Sequence, residues 1–402
     1  MRGAVLPGAV LGFLGFLAAP PAAAKDDDRV PEAASPEKVK PGQTALLKAP
    51  KGMGYFLRVP KGYDPKAGAR LIVFLHGSNM NGLSYVRSFE AKNWGNDAIL
   101  LCPNGEEGKD PYGANNFTFG SAPLVADATE QVKKAFRTTV SYCGGHSQGG
   151  FLTYSVILNF PDLFQGAMPM AGDCWSQNEP NLWEDKPDVA KKQHEIAIAV
   201  VHGKDDPVVD ISQGQHAYDC FRAAGWQKLR LFAPENSGHM FMVYPVDEVL
   251  EWLDSMNGRN EKEMPGLCEK WGKSGEWGWV FAAAKATKSG LPTLAKAADV
   301  ASAKALPAMT EAMKKKPAEW IPKWLEFWRI YGATPCARPI VTTYLDRREK
   351  QTGDGRRLFG EASGLFRQQK RDEAYKVLEK LLAEAPCTYE GYYGWKWLSE
   401  RK

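Results

Sequence analysis

Between Thr44 and Met256 the chain alternates short apolar runs with amphipathic ones. Runs rich in β-branched and aromatic residues occur at 55–60 (YFLRVP), 70–77 (RLIVFLHG), 98–105 (AILLCPNG), 139–145 (TVSYCGG), 166–172 (GAMPMAG), 195–203 (EIAIAVVHG) and 228–234 (KLRLFAP). Several are continuously apolar, which is the pattern of parallel strands buried on both faces. Stretches with helical spacing, such as Ala126 to Phe136 and Val246 to Met256, separate them. The alternation predicts a doubly wound, mostly parallel α/β domain over 44–258.

Past Gly258 the composition turns to Ala, Lys and Trp, no strand pattern persists, and a small all-helical domain is expected over 259–402. Within it, 358–386 (LFGEASGLFRQQKRDEAYKVLEKLLAEAP) reads as two amphipathic helices around a turn. Its Ala362, Leu365, Ala374, Leu378 and Pro386 resemble one tetratricopeptide repeat. One repeat cannot bury its own face, so it is expected to pack on helices from about Leu291 to Tyr331. Trp320, Trp324 and Trp328 follow a four-residue spacing, which reads as helix core before it reads as a glycan platform.

The amino terminus changes the picture. Arg2, an apolar stretch from about Ala4 to Ala19 and Ala22-Ala23-Ala24 before a charged run have the layout of a cleavable secretory signal over 1–24. Export to the periplasm or medium follows, with 25–43 as a polar linker and no integral membrane segment left after cleavage. The net charge of +4 is spread out, and the densest basic run, Lys314 to Lys316, is short, so a nucleic-acid partner is not expected. Seven cysteines lie beyond the signal. Cys102 and Cys143 end strands that a third should separate by roughly 9.5 Å, too far for a disulfide. Cys174, Cys220, Cys268, Cys336 and Cys387 are left with open pairing.

The stretch 142–151, YCGGHSQGGF, places Ser147 among four glycines between a strand and an apolar helical run that Pro161 ends. Gly145-His146-Ser147-Gln148-Gly149 fits G-x-S-x-G, a strand-to-helix elbow whose flanking residues must be small because two backbones approach closely. At a helix amino terminus the serine also meets backbone donors and a dipole that favour developing negative charge. A serine hydroxyl needs a base and an orienting carboxylate. Asp206 in HGKDDPVV and His239 in NSGHMF both follow strands, on the edge of the sheet where Ser147 lies, in the chain order Ser, Asp, His.

Together with VPKGYDP (59–65), LIVFLHG (71–77) and FPDLFQGAMPMAG (160–172), these motifs resemble the esterase branch of the α/β-hydrolases. They are similar to polyhydroxybutyrate depolymerase-like and feruloyl esterase-like proteins and, through SQGG, to the carboxylesterase/phospholipase group. The resemblance covers about residues 44–256. It implies Ser147 as nucleophile, His239 as general base and acid, and Asp206, chosen over Asp205 by the family's H-G-x-x-D spacing, as the carboxylate. It also implies backbone N–H groups of Gln148 and Ser78 as oxyanion donors. The expected activity is hydrolysis of a carboxylic ester, free or borne on a polymer, through an acyl-enzyme. A serine peptidase and a non-catalytic binding protein that takes a protein partner through the helical domain are the alternatives.

No cofactor is implied, and no histidine–carboxylate cluster has metal-ligand spacing, so no metal is expected. His76, His146 and His202 read as residues held by hydrogen bonds, His194 and His216 as surface residues. Two insertions, 104–120 and 173–188, flank the expected site. Their Tyr112, Phe117, Phe119, Trp175 and Trp183 line a pocket or pack within the loops.

Overall fold

A computed structural model describes residues 29–108, 110–174, 195–259 and 261–401. The expected signal at 1–24, together with Trp175, Trp183 and His194, lies outside the described residues.

Eight strands form one sheet in the order β1-β2-β4-β3-β5-β6-β7-β8. They are β1 (Thr44–Lys48), β2 (Gly54–Arg58), β3 (Ala69–Leu75), β4 (Ile99–Pro103), β5 (Thr138–His146), β6 (Gly166–Met170), β7 (Ala197–Val201) and β8 (Leu229–Phe232). The first two join antiparallel, and β2 meets β4 antiparallel. From β4 through β3 and β5 to β6 the pairing is parallel. The apolar run of β3 is buried at every residue, as a strand covered on both faces requires. Strand β1 was not foreseen: five residues at an antiparallel edge carry too little periodicity to stand out. Residues 31–39, expected as linker, lie on that edge, where Leu46 N–H donates to Pro31 C=O (2.9 Å) and Val39 is buried.

Helices α1 (Gly82–Ala91), α2 (Ala122–Ala135), α3 (Gln148–Asn159), α4 (Ile211–Ala223) and α5 (Val246–Met256) alternate with the strands. Between β3 and β5 the connections diverge, β3 running to β4 on one side and β5 to β6 on the other. That divergence opens a crevice at the strands' carboxyl ends, where sites in open α/β sheets form. Leu75 pairs with Gly145, so the turns that leave β3 and β5 start side by side.

The chain divides into two compact units: one of Met1–Ala190, Ala199–Ala217 and Leu231–Val249, the other of Lys191–Ile198, Tyr218–Arg230 and Leu250–Lys402. In the second, helices follow at α6 (Met264–Lys273), α7 (Trp277–Ala286), α8 (Pro292–Ala312), α9 (Pro317–Tyr331), α10 (Arg338–Arg367), α11 (Arg371–Glu384) and α12 (Tyr389–Ser399). Trp320, Trp324 and Trp328 of α9 are buried, and Trp324 stacks on Tyr344 with ring centres 4.4 Å apart, so the spacing serves the core. Helices α10 and α11 close on Leu358, Ala362, Phe366, Ala374, Leu378 and Leu381. No disulfide links the seven cysteines.

Leu378 is fully buried in that cluster. Leu378→Ala should lower unfolding free energy by about 2–5 kcal/mol in urea titrations, and an unchanged midpoint would show that α10 and α11 do not share this core.

Candidate active site

Strand β5 ends at His146 and α3 begins at Gln148, leaving Ser147 alone to make the turn, with φ 55° and ψ −119°. A positive φ is strained for any residue with a Cβ, and it persists only where the surroundings over-determine it. Ser147 N–H donates to Met170 C=O of β6 (2.9 Å), which fixes the turn from one side. A Cβ on Gly149 would strike the Leu75 carbonyl of β3, and one on Gly145 would strike the Gly149 carbonyl. The glycines are therefore the condition for three backbones to meet beneath one serine.

Two further loops converge on that serine. Its Oγ lies 2.9 Å from His239 Nε2, and His239 Nδ1 lies 2.7 Å from Asp206 Oδ2. A carboxylate can only accept, so Nδ1 carries the imidazole proton and Nε2 is left to accept from Ser147. Burial alone would raise the Asp206 carboxyl, but hydrogen bonds from His239 and from the backbone N–H groups of Val209 and Val208 outweigh it and hold the group below its ordinary value. Asp206 is buried and Asp205 exposed. Tyr244, which sequence reasoning passed over, donates to Gly238 C=O (3.1 Å) and reaches Asp206 Oδ2 (3.4 Å), joining the loop of the carboxylate to the loop of the imidazole.

The turn after β3 supplies the other side of the crevice. Met80 N–H closes it onto Gly77 C=O (3.2 Å), with Asn79 at φ 58°, a conformation asparagine tolerates. His76 Nδ1 also donates to Gly77 C=O (2.7 Å), while its Nε2 accepts from Gly105 N–H (3.2 Å). In a trans peptide the N–H points away from the C=O, so Ser78 N–H faces away from these donors. Neither Ser78 N–H nor Gln148 N–H has an acceptor among the described residues. The Gln148 side chain pairs with Phe117 in both directions, accepting from its N–H (3.0 Å) and donating to its C=O (3.1 Å).

Phe117 stacks on His76 with ring centres 4.4 Å apart, walling the site from the loop 104–120. Tyr112 is committed to packing, its hydroxyl on Val30 C=O (2.9 Å) and its ring against Phe56. His216 is not the surface residue expected: it is half-buried, with Nδ1 2.8 Å from the Asp173 carboxylate. Cys174 and His216 also present ligand atoms within 4.8 Å of each other. Forty-one residues of chain lie between these two, which is why metal-ligand spacing gave no hint of them.

Burial pushes His76 down to about 4 and His146, also repelled by His239, down to about 3. Both are neutral in the fold but take up protons near 6.5 once unfolded, so the unfolded chain binds more protons below that pH. Their contribution is complete above about pH 6.5 and is withdrawn as pH falls toward 4. The urea midpoint should fall over that window and fall less in His146→Asn; a flat midpoint in the parent would contradict the buried neutral pair.

Residues 125–257 match the family model described as Phospholipase/Carboxylesterase. No curated protein sequence matches the chain. Among solved structures, a thermostable esterase aligns at 20% identity and TM-score 0.37, over 52% of this chain and 61% of that one. The acyl-protein thioesterase 2 of Zea mays aligns at 21% and 0.41, over 50% and 97%. The feruloyl esterase module from Clostridium thermocellum aligns at 15% and 0.40, over 56% and 92%. The sheet order and the strand-to-helix elbow give the unit that holds Ser147 the α/β-hydrolase fold, and its residues 125–257 are similar to the Phospholipase/Carboxylesterase family.

Proposed function

We propose that the protein is an exported serine hydrolase that cleaves carboxylic esters through an acyl-enzyme. The observation that carries this reading is the unbroken line from Asp206 through His239 to the Ser147 hydroxyl, at 2.7 and 2.9 Å, on a strained elbow. Ser147 Oγ attacks the ester carbonyl carbon while His239 Nε2 takes its proton, and the imidazolium is stabilised by Asp206. The carbonyl oxygen, now an oxyanion, is received by the N–H groups of Gln148 and Ser78. His239 returns the proton to the departing alcohol oxygen as the tetrahedral adduct collapses. Water then repeats the sequence on the acyl-enzyme, releasing the acid and restoring Ser147. These steps use only side chains and backbone groups of this chain.

The signal-like layout of residues 1–24 supports export. Among the described residues no helix is long and apolar enough to cross a membrane.

A fluorophosphonate probe should label the parent protein and fail to label Ser147→Ala; labelling that survives the substitution would displace Ser147 as nucleophile. Asp206→Asn should lower kcat on p-nitrophenyl acetate by about 10⁴-fold while Asp205→Asn leaves it within about threefold. The opposite ranking would move the carboxylate to Asp205. In a panel of p-nitrophenyl esters and peptide amides, turnover confined to amides would replace the esterase reading with a peptidase.

A further inference from the structure

His146, the residue before the nucleophile, has no step in the reaction above, yet it is a buried imidazole in direct line with the oxyanion turn. Gly77 N–H donates to the Tyr85 hydroxyl (3.2 Å), and that hydroxyl lies 2.9 Å from His146 Nδ1. An N–H has only a proton to offer, so the Tyr85 oxygen accepts from Gly77 and its own proton is left for His146. Nδ1 must then hold a lone pair, and the one ring proton of His146 sits on Nε2.

Geometry thus fixes the direction of the chain, from Gly77 N–H through Tyr85 O–H to His146. Burial keeps the imidazole neutral, with its ionisation pushed down to about 3, so the acceptor persists at any pH where a serine hydrolase works. His146 Nε2 is buried and faces the His239 backbone. The same lone pair is in use and cannot serve Ser147 as a base. A methyl placed on Gly77 would stand 3.3 Å from the Tyr85 hydroxyl, 3.4 Å from His146 Nδ1 and 3.5 Å from Ser147 Cβ, so this contact lies directly against the nucleophile.

We propose that Tyr85, oriented by His146, is a positioning residue for the oxyanion turn: it anchors the Gly77 N–H while His76 and Met80 anchor the Gly77 carbonyl, and the two anchors together aim Ser78 N–H at the reacting carbonyl oxygen. The proposal rests on the serine-hydrolase reading. An oxyanion donor strengthens its bond as the tetrahedral adduct forms, so loosening it slows the chemical step more than it weakens substrate binding.

Tyr85→Phe removes one oxygen and keeps the ring packed between Phe74 and Phe241. On p-nitrophenyl acetate its kcat should fall about 10- to 100-fold with KM within about twofold, and affinity for phenylboronic acid, which forms a tetrahedral adduct, should fall by a similar factor. His146→Leu should do the same. His146→Asn, whose side-chain oxygen can accept the Tyr85 proton, should retain most of the rate, and the Tyr85→Phe/His146→Leu pair should be no slower than the slower single variant. Parent-like kcat and boronate affinity in Tyr85→Phe, beside an inactive Ser147→Ala, would overturn the positioning role alone. So would a rate loss carried wholly in KM, or equal losses in His146→Asn and His146→Leu. An active Ser147→Ala would instead strike the hydrolase reading and this proposal with it.

Discussion

Ser147 turns through a positive φ because the backbones of β3, β5, β6 and α3 leave it no other route. Side chains at 145 and 149 would hold those backbones apart, and one at 150 would strike the Met170 carbonyl that accepts from the N–H of Ser147. Strain at one residue is affordable only when the rest of the fold is indifferent to it, and here the cost is carried by a sheet whose central strands are buried along all of β3 and from Val140 to His146 of β5. The hydroxyl gains a fixed position at a helix amino terminus. Every other group of the site is arranged with respect to that position.

Topology supplies the remaining parts. The strand order reverses between β3 and β5, so the turn with Ser78 and the turn with Ser147 leave neighbouring strands on one edge. The loops after β7 and β8 bring Asp206 and His239 to the same serine. Charge is confined with similar economy. His76, His146 and His202 are all held below their ordinary values by burial, and the Asp206 carboxylate is kept ionised by three hydrogen bonds. A neutral shell around one carboxylate suits the single imidazolium that the proposed reaction would form at His239.

Much of this was legible in the chain. Short runs rich in apolar, β-branched and aromatic residues, several of them continuous, marked seven of the eight strands, and the glycine cluster marked the elbow because its chemistry is local. The two loops were legible through their position after strands, and burial separates Asp206 from Asp205 as the H-G-x-x-D spacing had done. What stayed hidden depends on tertiary contacts. Tyr85 reads as any aromatic on an amphipathic helix until Gly77 and His146 are seen on either side of its hydroxyl. Tyr244 is equally mute in sequence, and His216 looked exposed because its partner, Asp173, lies on a distant loop. The helices after Gly258 announced themselves by composition, which says how they pack and nothing of what they contact.

The central claim is that a covalent bond forms at the Ser147 oxygen during turnover, and trapping it is the most direct test. Mixing the protein with excess p-nitrophenyl butyrate, quenching in acid within milliseconds and mapping peptides by mass spectrometry should find a butyryl group on the peptide that holds Ser147, and none in the same peptide from Ser147→Ala. An ester hydrolysed at full rate with no acyl adduct on that peptide, or with the adduct on another residue, would contradict the account.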